Sequence, residues 1–214
     1  MSTKAKNKNV VGKAMWVKVF EPDTKFNPTG VYSVDLLKPE LEAAKLSDYL
    51  ESLVNERLNE EVKSNPKLEG KLSTHFPFEE DEDKEGNKTG DIKFKFKLDA
   101  VGKRRDGSTW EQKPLVVDAK LTPMTGDTLI GNGSTINVSF EPRTYYVPAT
   151  KMVGVKLHLR GVQVMELVEY GNGASSMFEE TDGYVASAVA KDNTGESDFS
   201  AYEGGDAADD EGDF

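Results

Sequence analysis

The stretch MVGVKLHLRGVQVMEL at residues 152–167 decides the fold, because its alternating side chains change phase once along its length. Apolar side chains stand at every second position from Val153 to Leu159, and after Gly161 the alternation resumes one position later, at Val162 and Val164. Alternation with a period of two predicts a β-strand with one buried face. A glycine at a change of phase indicates a β-bulge or the corner of a barrel. We therefore expect a long final strand that bends near Gly161.

Five further segments have the composition or the alternation that is typical of β-strands. They are AMWVKVF (14–20), GVYSVDLLKP (30–39), IKFKFKL (92–98), PLVVDAKL (114–121) and TINVSFE (135–141). The Asp-Gly pair inside KRRDGST (103–109) is a hairpin signal, and we expect PLVVDAKL to be its return strand. Because strands do not alternate with helices, a parallel α/β sheet is disfavoured. The pattern predicts a mostly β protein built on a small antiparallel barrel of five to six strands.

One long helix interrupts this pattern of strands. Apolar residues recur at helical spacing from Leu46 to Val62, and Pro39 suits the first turn of a helix. We therefore predict one inserted amphipathic helix over residues 40–62. The stretch at 79–91 is rich in Asp and Glu, and we interpret it as an acidic loop. The segment PRTYYVPATK (142–151) contains two prolines, and we interpret it as a loop or bent edge between the last two strands.

The formal charge of −11 is distributed unevenly along the chain. Residues 178–214 contain twelve acidic residues and one basic residue, so this segment accounts for the whole excess. The segment also has few aliphatic residues, and such a composition cannot bury enough apolar surface to offset its ordering entropy. We predict a neutral domain over residues 1–177 and a largely disordered acidic tail over residues 178–214.

The composition excludes several classes of chemistry. The chain has no Cys and only two His, which leaves no disulfide, no thiolate catalysis and little material for a histidine metal site. No apolar segment approaches the ~18 residues of a membrane helix, and no GxxxxGK phosphate loop is present. We therefore expect no enzyme activity, no cofactor, no metal and no membrane association. Two alternatives stay open: an acidic chaperone-like or structural protein, and a carboxylate-metal nuclease that uses Asp99, Asp118 and Glu166.

Basic side chains are interleaved with aromatic ones along the predicted strands and loops. Single-stranded nucleic acid needs cations for its phosphates and flat side chains for its unpaired bases, and each stacked base contributes ~1–3 kcal/mol. The loop between the last two strands of an OB-fold barrel is one of the usual ligand loops of that fold. We predict a single-strand binding groove formed by Trp16, Lys18, Lys93, Lys95, Lys103, Arg104, Arg105, Trp110, Arg143, Tyr145, Tyr146, Lys151, Lys156 and Arg160.

Some of these residues have a simpler interpretation. Lys93 and Lys95 suit the solvated face of a strand, and Trp16 suits either the core or a stacking role. Tyr145 and Tyr146 lie between two prolines and are harder to explain as core residues, so we expect one of them in the ligand site.

The order and spacing of seven short segments resemble the OB-fold single-stranded DNA-binding proteins of short-tailed and related bacteriophages, which end in an acidic tail with a terminal Phe. These segments are NPTGVYSVDL (27–36), IKFKFK (92–97), VVD (116–118), IGNGS (130–134), VKLHL (155–159), GYVAS (183–187) and DEGDF (210–214).

The resemblance implies a sequence-tolerant single-stranded DNA-binding protein that acts in phage DNA replication, recombination and repair. It also implies a location in the cytoplasm of the infected bacterial host and allows for a homodimer. The tail is expected to compete with DNA for the groove and to contact the phage DNA polymerase and helicase–primase. The tail residues expected to bind these partners are Asp206, Asp209, Asp210, Glu211, Asp213 and Phe214.

Overall fold

The computed structural model describes residues 7–104 and 106–169. The described β-strands are β1 (Lys8–Asp23), β2 (Val31–Pro39), β3 (Ser73–His75), β4 (Phe78–Glu82), β5 (Lys88–Asp99), β6 (Val101–Lys103), β7 (Thr109–Glu111), β8 (Leu115–Val117), β9 (Thr135–Val147) and β10 (Met152–Glu166). One α-helix, α1 (Glu40–Ser64), follows β2 directly, and a short 3₁₀ helix (Pro66–Leu68) follows α1.

The five long strands close into a barrel, which confirms the predicted fold class. β1 pairs with β2, β2 with β5, β10 with β9, and β9 with β1, all antiparallel. The ring is closed by a parallel pairing of β5 with β10, in which Phe96 lies opposite Leu157. The sequence pattern suggested an antiparallel barrel, but strand directions cannot alternate all the way around a ring of five. At least one pairing must therefore be parallel.

β10 bends where the change of phase predicts. Leu159 lies opposite Phe140 and Gly161 lies opposite Ser139, so Arg160 is the extra residue of a β-bulge. The bulge lets apolar side chains on both sides of it enter the core. A Cβ atom on Gly161 would lie 2.8 Å from the carbonyl oxygen of Leu115 in β8, so this close approach of two backbones requires glycine.

The inserted helix is confirmed and extends two residues beyond the predicted end. α1 packs its buried residues Ala43, Leu50 and Val54 against the barrel strands β2, β5, β9 and β10. The helix and the inward faces of the strands share one core, in which Phe94 and Phe96 are fully buried. The remaining faces of β2, β5 and β10 are thereby free to form a surface.

Three segments differ from the sequence-based expectations. The acidic stretch at 79–91 is a hairpin of β4 and β5 rather than a loop, and Phe78 of β4 lies opposite Phe94. Ion pairs between β4 acids and β5 lysines offset the low strand propensity of the acids. The predicted return strand at 114–121 is only β8, which pairs in parallel with β10; the return strand of the 103–109 hairpin is β7.

The segment at 142–151 is mostly strand rather than loop. β9 continues to Val147, because Thr, Tyr and Val residues favour strands. Pro142 lies within the strand opposite Leu157, and Pro148 follows the end of the strand. Only residues 148–151 form the turn into β10. Arg143, Tyr145 and Tyr146 therefore project from a rigid strand.

Several predictions fall outside the described residues. They include Arg105 and the whole acidic tail at 178–214. In the part of the chain that the structure describes, no helix is long and apolar enough to cross a membrane.

Candidate nucleic-acid interface

The pairing register aligns basic side chains across the outer face of the barrel. Lys18 of β1 lies opposite Ser33, Ser33 lies opposite Lys97, and Lys97 lies opposite His158. In the neighbouring row, Lys156 of β10 lies opposite Arg143 of β9. Because partners in a sheet point to the same face, strands that are distant in sequence present their cations side by side.

An open groove of about 580 Å³ runs over this face, and we call it the groove. It extends from the β1–β2 loop across β2, β5 and β10 to β9 and the segment before β4. Its polar and aromatic lining residues are Asp23, Phe26, Asn27, Ser33, His75, Phe76, Phe78, Glu79, Lys95, Lys97, Asp99, Tyr145, Lys156 and His158.

Tyr145 forms one end of the groove. Its hydroxyl lies 3.0 Å from Nδ1 of His75 in a hydrogen bond. Its ring lies across Gly154, where a Cβ atom would collide with the Tyr145 hydroxyl, so glycine makes room for the ring. Tyr146 instead packs against the hydrophobic core. Of the two tyrosines, Tyr145 is therefore the one that lines the groove.

Phe26 forms the other end, and the sequence analysis did not select it. Its side chain is 88% exposed, and Nζ of Lys25 lies 5.2 Å from its ring centroid. The loop that carries Phe26 turns at Gly30, whose φ of 81° favours glycine. A useful signal was present in the sequence, since an aromatic residue between Asp, Asn, Pro and Gly in a turn has no periodic apolar partners.

The cations of the groove differ in how they are paired. Lys95 donates to the carboxylate of Glu79 at 2.9 Å. The hydrogen bonds from Lys95 and Lys93 hold the pKa of Glu79 below its usual value. Among the ion pairs of the described residues, Lys97 and Lys156 have no acidic partner. These two lysines are thus the groove cations that are free to meet an anion.

Two arginines flank the groove and share one acid. Arg143 donates to Glu141 at 2.9 Å, and Arg160, at the bulge, also donates to Glu141. The hydrogen bond from Arg143, together with that from Arg160, lowers the pKa of Glu141. The shared acid fixes both guanidinium groups on the outer face beside His158, which is the cross-strand partner of Glu141.

His158 is a neutral residue in this basic surface. Only 8% of it is exposed, and burial lowers its pKa to about 4, with a further contribution from Arg143 and Arg160. The negative charge of Glu141 raises the pKa of His158, and the positive charge of Lys156 lowers it. A neutral imidazole at pH 7 offers one donor and one acceptor to a ligand in the groove.

Trp16 and Lys18 lie on β1 and do not line the groove, although Lys18 is the cross-strand neighbour of the groove residue Ser33. Trp16 is 65% exposed, which excludes the core interpretation. It has a φ of 51° in a β1 bulge, and its backbone N–H donates to Oδ1 of Asn132 at 2.9 Å.

Other predicted residues lie on the hairpin of β6 and β7 or in the turn between β9 and β10. The guanidinium carbon of Arg104 lies 5.1 Å from the Trp110 ring centroid, and Trp110 packs over Gly102. Lys103 is exposed in the same hairpin. Lys151 lies in the turn between β9 and β10 with a φ of 52°. The structure does not bring these residues to the lining of the groove.

Lys93 lies on the outer face of β5 and is held by two acids of β4. Glu79 is 3.1 Å and Asp81 is 3.5 Å from its Nζ atom. Burial opposes the charge of Lys93, but the hydrogen bond with Glu79 raises its pKa overall.

The acids considered for a nuclease site lie on separate elements. Asp118 accepts hydrogen bonds from the backbone of its own turn, and Glu166 accepts one from Thr135. Asp99 ends β5 at the edge of the groove. Among residues 7–104 and 106–169, no group of three or more His, Asp or Glu side chains is arranged to hold a metal ion.

Comparison with known families gives one match over most of the chain. A family model described as "Single-stranded DNA-binding protein, Bacteriophage T7" matches residues 12–167. This range covers every residue of the groove and all of the barrel except the first four residues of β1. No curated protein sequence matches the chain.

Solved structures of phage proteins are similar to this chain. The crystal structure of gp2.5, a single-stranded DNA-binding protein encoded by bacteriophage T7, has 29% sequence identity and a TM-score of 0.62; the match covers 86% of this chain and 100% of gp2.5. The single-stranded DNA-binding protein of bacteriophage Enc34 in complex with ssDNA has 13% identity and a TM-score of 0.48, with 77% of this chain and 89% of that chain covered.

Proposed function

Since this chain belongs to the bacteriophage T7 family of single-stranded DNA-binding proteins, we propose that it binds single-stranded DNA in the groove. The observation that carries the proposal is the arrangement of unpaired lysines between two aromatic ends. In the order of strand pairing, Lys97 of β5 and Lys156 of β10 lie between the β1–β2 loop, which carries Phe26, and β9, which carries Tyr145. Phosphates would meet the lysines, and unpaired bases would stack on the aromatic rings.

The position of the groove in the barrel supports this assignment. In chain order, β1, β2, β5, β9 and β10 are the five strands of the barrel. OB-folds bind oligonucleotides on the face of their second and third strands, between the loop joining strands one and two and the loop joining strands four and five. Here those strands are β2 and β5, and Phe26 lies in the first of these loops.

The chemistry of the groove suits binding without sequence preference and without catalysis. The aromatic rings provide flat faces that any base can use, and lysines recognise phosphate as a point charge. We therefore propose a non-enzymatic protein that covers single strands during phage DNA replication, recombination and repair, in the cytoplasm of the infected bacterial host.

A titration of a labelled oligonucleotide at several salt concentrations tests the proposal. Four cations at or beside the groove, Lys95, Lys97, Lys156 and Arg143, would neutralise about four phosphates. The logarithm of affinity should then fall with the logarithm of salt concentration with a slope of about −3. A slope near zero, or equal affinity for a duplex of the same sequence, would refute single-strand binding in a basic groove.

We propose a separate role for the acidic tail at 178–214. Its twelve acidic residues resemble a series of phosphates and are tethered to the same chain, so they would compete with DNA at high effective concentration. DNA binding would release the tail for the phage DNA polymerase and helicase–primase. Deletion of residues 178–214 should raise DNA affinity, mainly at low salt, where screening is weak. Unchanged affinity at low salt would contradict the competition.

Phe214 would act as the anchor of the tail on these partners, through its ring and its terminal carboxylate. Removal of Phe214 alone should weaken partner binding and leave single-strand binding unchanged. If both activities fall together, the tail is not a separate binding module. Sedimentation of the full chain tests whether the protein forms a homodimer.

A further inference from the structure

A carboxylate of the edge strand β4 forms ion pairs with two lysines beside the groove. The Oε1 atom of Glu79 lies 2.9 Å from Nζ of Lys95 and 3.1 Å from Nζ of Lys93. Glu79 also lines the groove, and about half of its side chain is exposed to solvent. One anionic oxygen is thus held between two ammonium groups at the margin of the proposed DNA path.

This arrangement differs from an ordinary cross-strand ion pair. The register places Glu79 opposite Lys93, whereas Lys95 lies on the next outward position of β5 and reaches across to the same oxygen. Two ammonium groups that converge on one oxygen match the way a phosphate oxygen is recognised by charge-assisted hydrogen bonds. The pair of Glu79 with Lys95 is the more exposed of the two, and an exposed ion pair contributes only ~0.2–1 kcal/mol, so a phosphate can displace the carboxylate.

We propose that Glu79 occupies, in the DNA-free protein, a subsite for a phosphate group of single-stranded DNA formed by Lys93 and Lys95. The inference rests on the proposed function, because it places the phosphate on the same DNA strand that enters the groove. Glu79 is then a residue that sets affinity: the DNA backbone must exchange with it before both lysines become available.

The test compares two substitutions on the same strand that remove the same charge. Glu79→Gln keeps the shape of the side chain, releases Lys95 and leaves Lys93 paired with Asp81 alone. Glu82→Gln is the matched control, because Glu82 is exposed on β4 and does not line the groove. The two sites are three residues apart, or about 10 Å along a strand, which is roughly one Debye length at 0.1 M salt.

Full-length Glu79→Gln should bind single-stranded DNA about three- to tenfold more tightly than the wild type at 0.1 M salt, because the Glu79 carboxylate no longer competes with phosphate for the lysines. Glu82→Gln should change the affinity less than about twofold. In a Lys95→Gln background, the gain from Glu79→Gln should be smaller than in the wild type, since only the contact of Glu79 with Lys93 then remains. Equal gains from Glu79→Gln and Glu82→Gln, or no gain from Glu79→Gln, would overturn the proposal.

A measurement on the wild-type chain is independent of any folding defect in the variants. The Glu79 carboxyl titrates below its ordinary pKa while it is bound to Lys95 and Lys93. If phosphate displaces it, the pKa of Glu79 followed by NMR should rise on addition of an oligonucleotide. A pKa that stays low in the saturated complex would show that the lysines keep Glu79 and would overturn the proposal. Failure of the proposed function is distinct, since the wild type would then not bind the oligonucleotide at all.

Discussion

Phe26 separates a role in DNA binding from a role in stability more cleanly than any other residue of the groove. The side chain is 88% exposed, so Phe26→Ala removes almost no buried apolar surface. Its contact with Lys25 is exposed, and such a cation–π contact contributes ~0.5–1 kcal/mol. We expect the free energy of unfolding to fall by less than about 1 kcal/mol.

The effect on DNA affinity should be much larger than the effect on stability. A base stacked on an aromatic side chain contributes ~1–3 kcal/mol by alanine substitution. Phe26→Ala should therefore weaken binding of a thymidine oligonucleotide about five- to 150-fold. Fluorescence anisotropy at a fixed salt concentration measures the affinity, and urea unfolding of the same samples measures the stability.

Two control variants make the result specific. Phe26→Trp keeps a flat ring and should retain most of the affinity. Leu41→Ala removes an equally exposed apolar side chain from α1, since Leu41 is 94% exposed, and should leave the affinity unchanged. If Phe26→Ala changes the affinity less than twofold, or if Leu41→Ala weakens it equally, stacking at this end of the groove is refuted.

Two further predictions concern Tyr145 and His158. Tyr145→Phe loses only the hydrogen bond to His75 and should bind DNA nearly as well as the wild type. Tyr145→Ala loses the ring and should bind about five- to 150-fold more weakly, as measured by anisotropy. Equal losses of affinity in the two variants would show that the hydroxyl and not the ring matters. The pKa of His158 is about 4 in the folded protein and ~6.5 when unfolded, so the unfolded state binds an extra proton in between, and stability should fall as pH drops from ~6.5 to about 4. Over this range, the free energy of unfolding measured with urea should fall by about 2–3 kcal/mol less in His158→Gln than in the wild type. Identical pH profiles of the two proteins would contradict the assignment.

The strands that carry local patterns were predictable from the sequence, and their partners were not. The change of phase at Gly161 predicted the bend in β10, and the Asp-Gly pair predicted the turn between β6 and β7, because both features depend on neighbouring residues; the return strand was wrongly placed at 114–121. The parallel closure of β5 on β10 joins segments about sixty residues apart and has no local signal. The strand β4 was hidden because its stability comes from cross-strand ion pairs and Phe78, rather than from its own propensity.

The sequence predicted a basic surface with aromatic side chains, but it could not decide which of these residues line the groove. Consecutive residues of a strand point to opposite faces, so the sequence could not decide between Tyr145 and Tyr146. The decision depends on Gly154, whose missing side chain gives Tyr145 its place over β10. Phe26 was missed because the path of a loop follows from tertiary packing. Glu79 was assigned to a loop, so its contact with Lys95 was not foreseen.

Photo-crosslinking of the full chain to a halogenated single-stranded oligonucleotide tests the central claim most directly. Mass spectrometry would identify the crosslinked residues, and aromatic side chains in contact with bases crosslink most readily. The account predicts crosslinks at Phe26 and Tyr145, at the two ends of the groove, and their loss in an excess of unlabelled single strand. Crosslinks confined to Trp110 or to α1, with none at Phe26 or Tyr145, would contradict the assignment of the groove as the DNA-binding site.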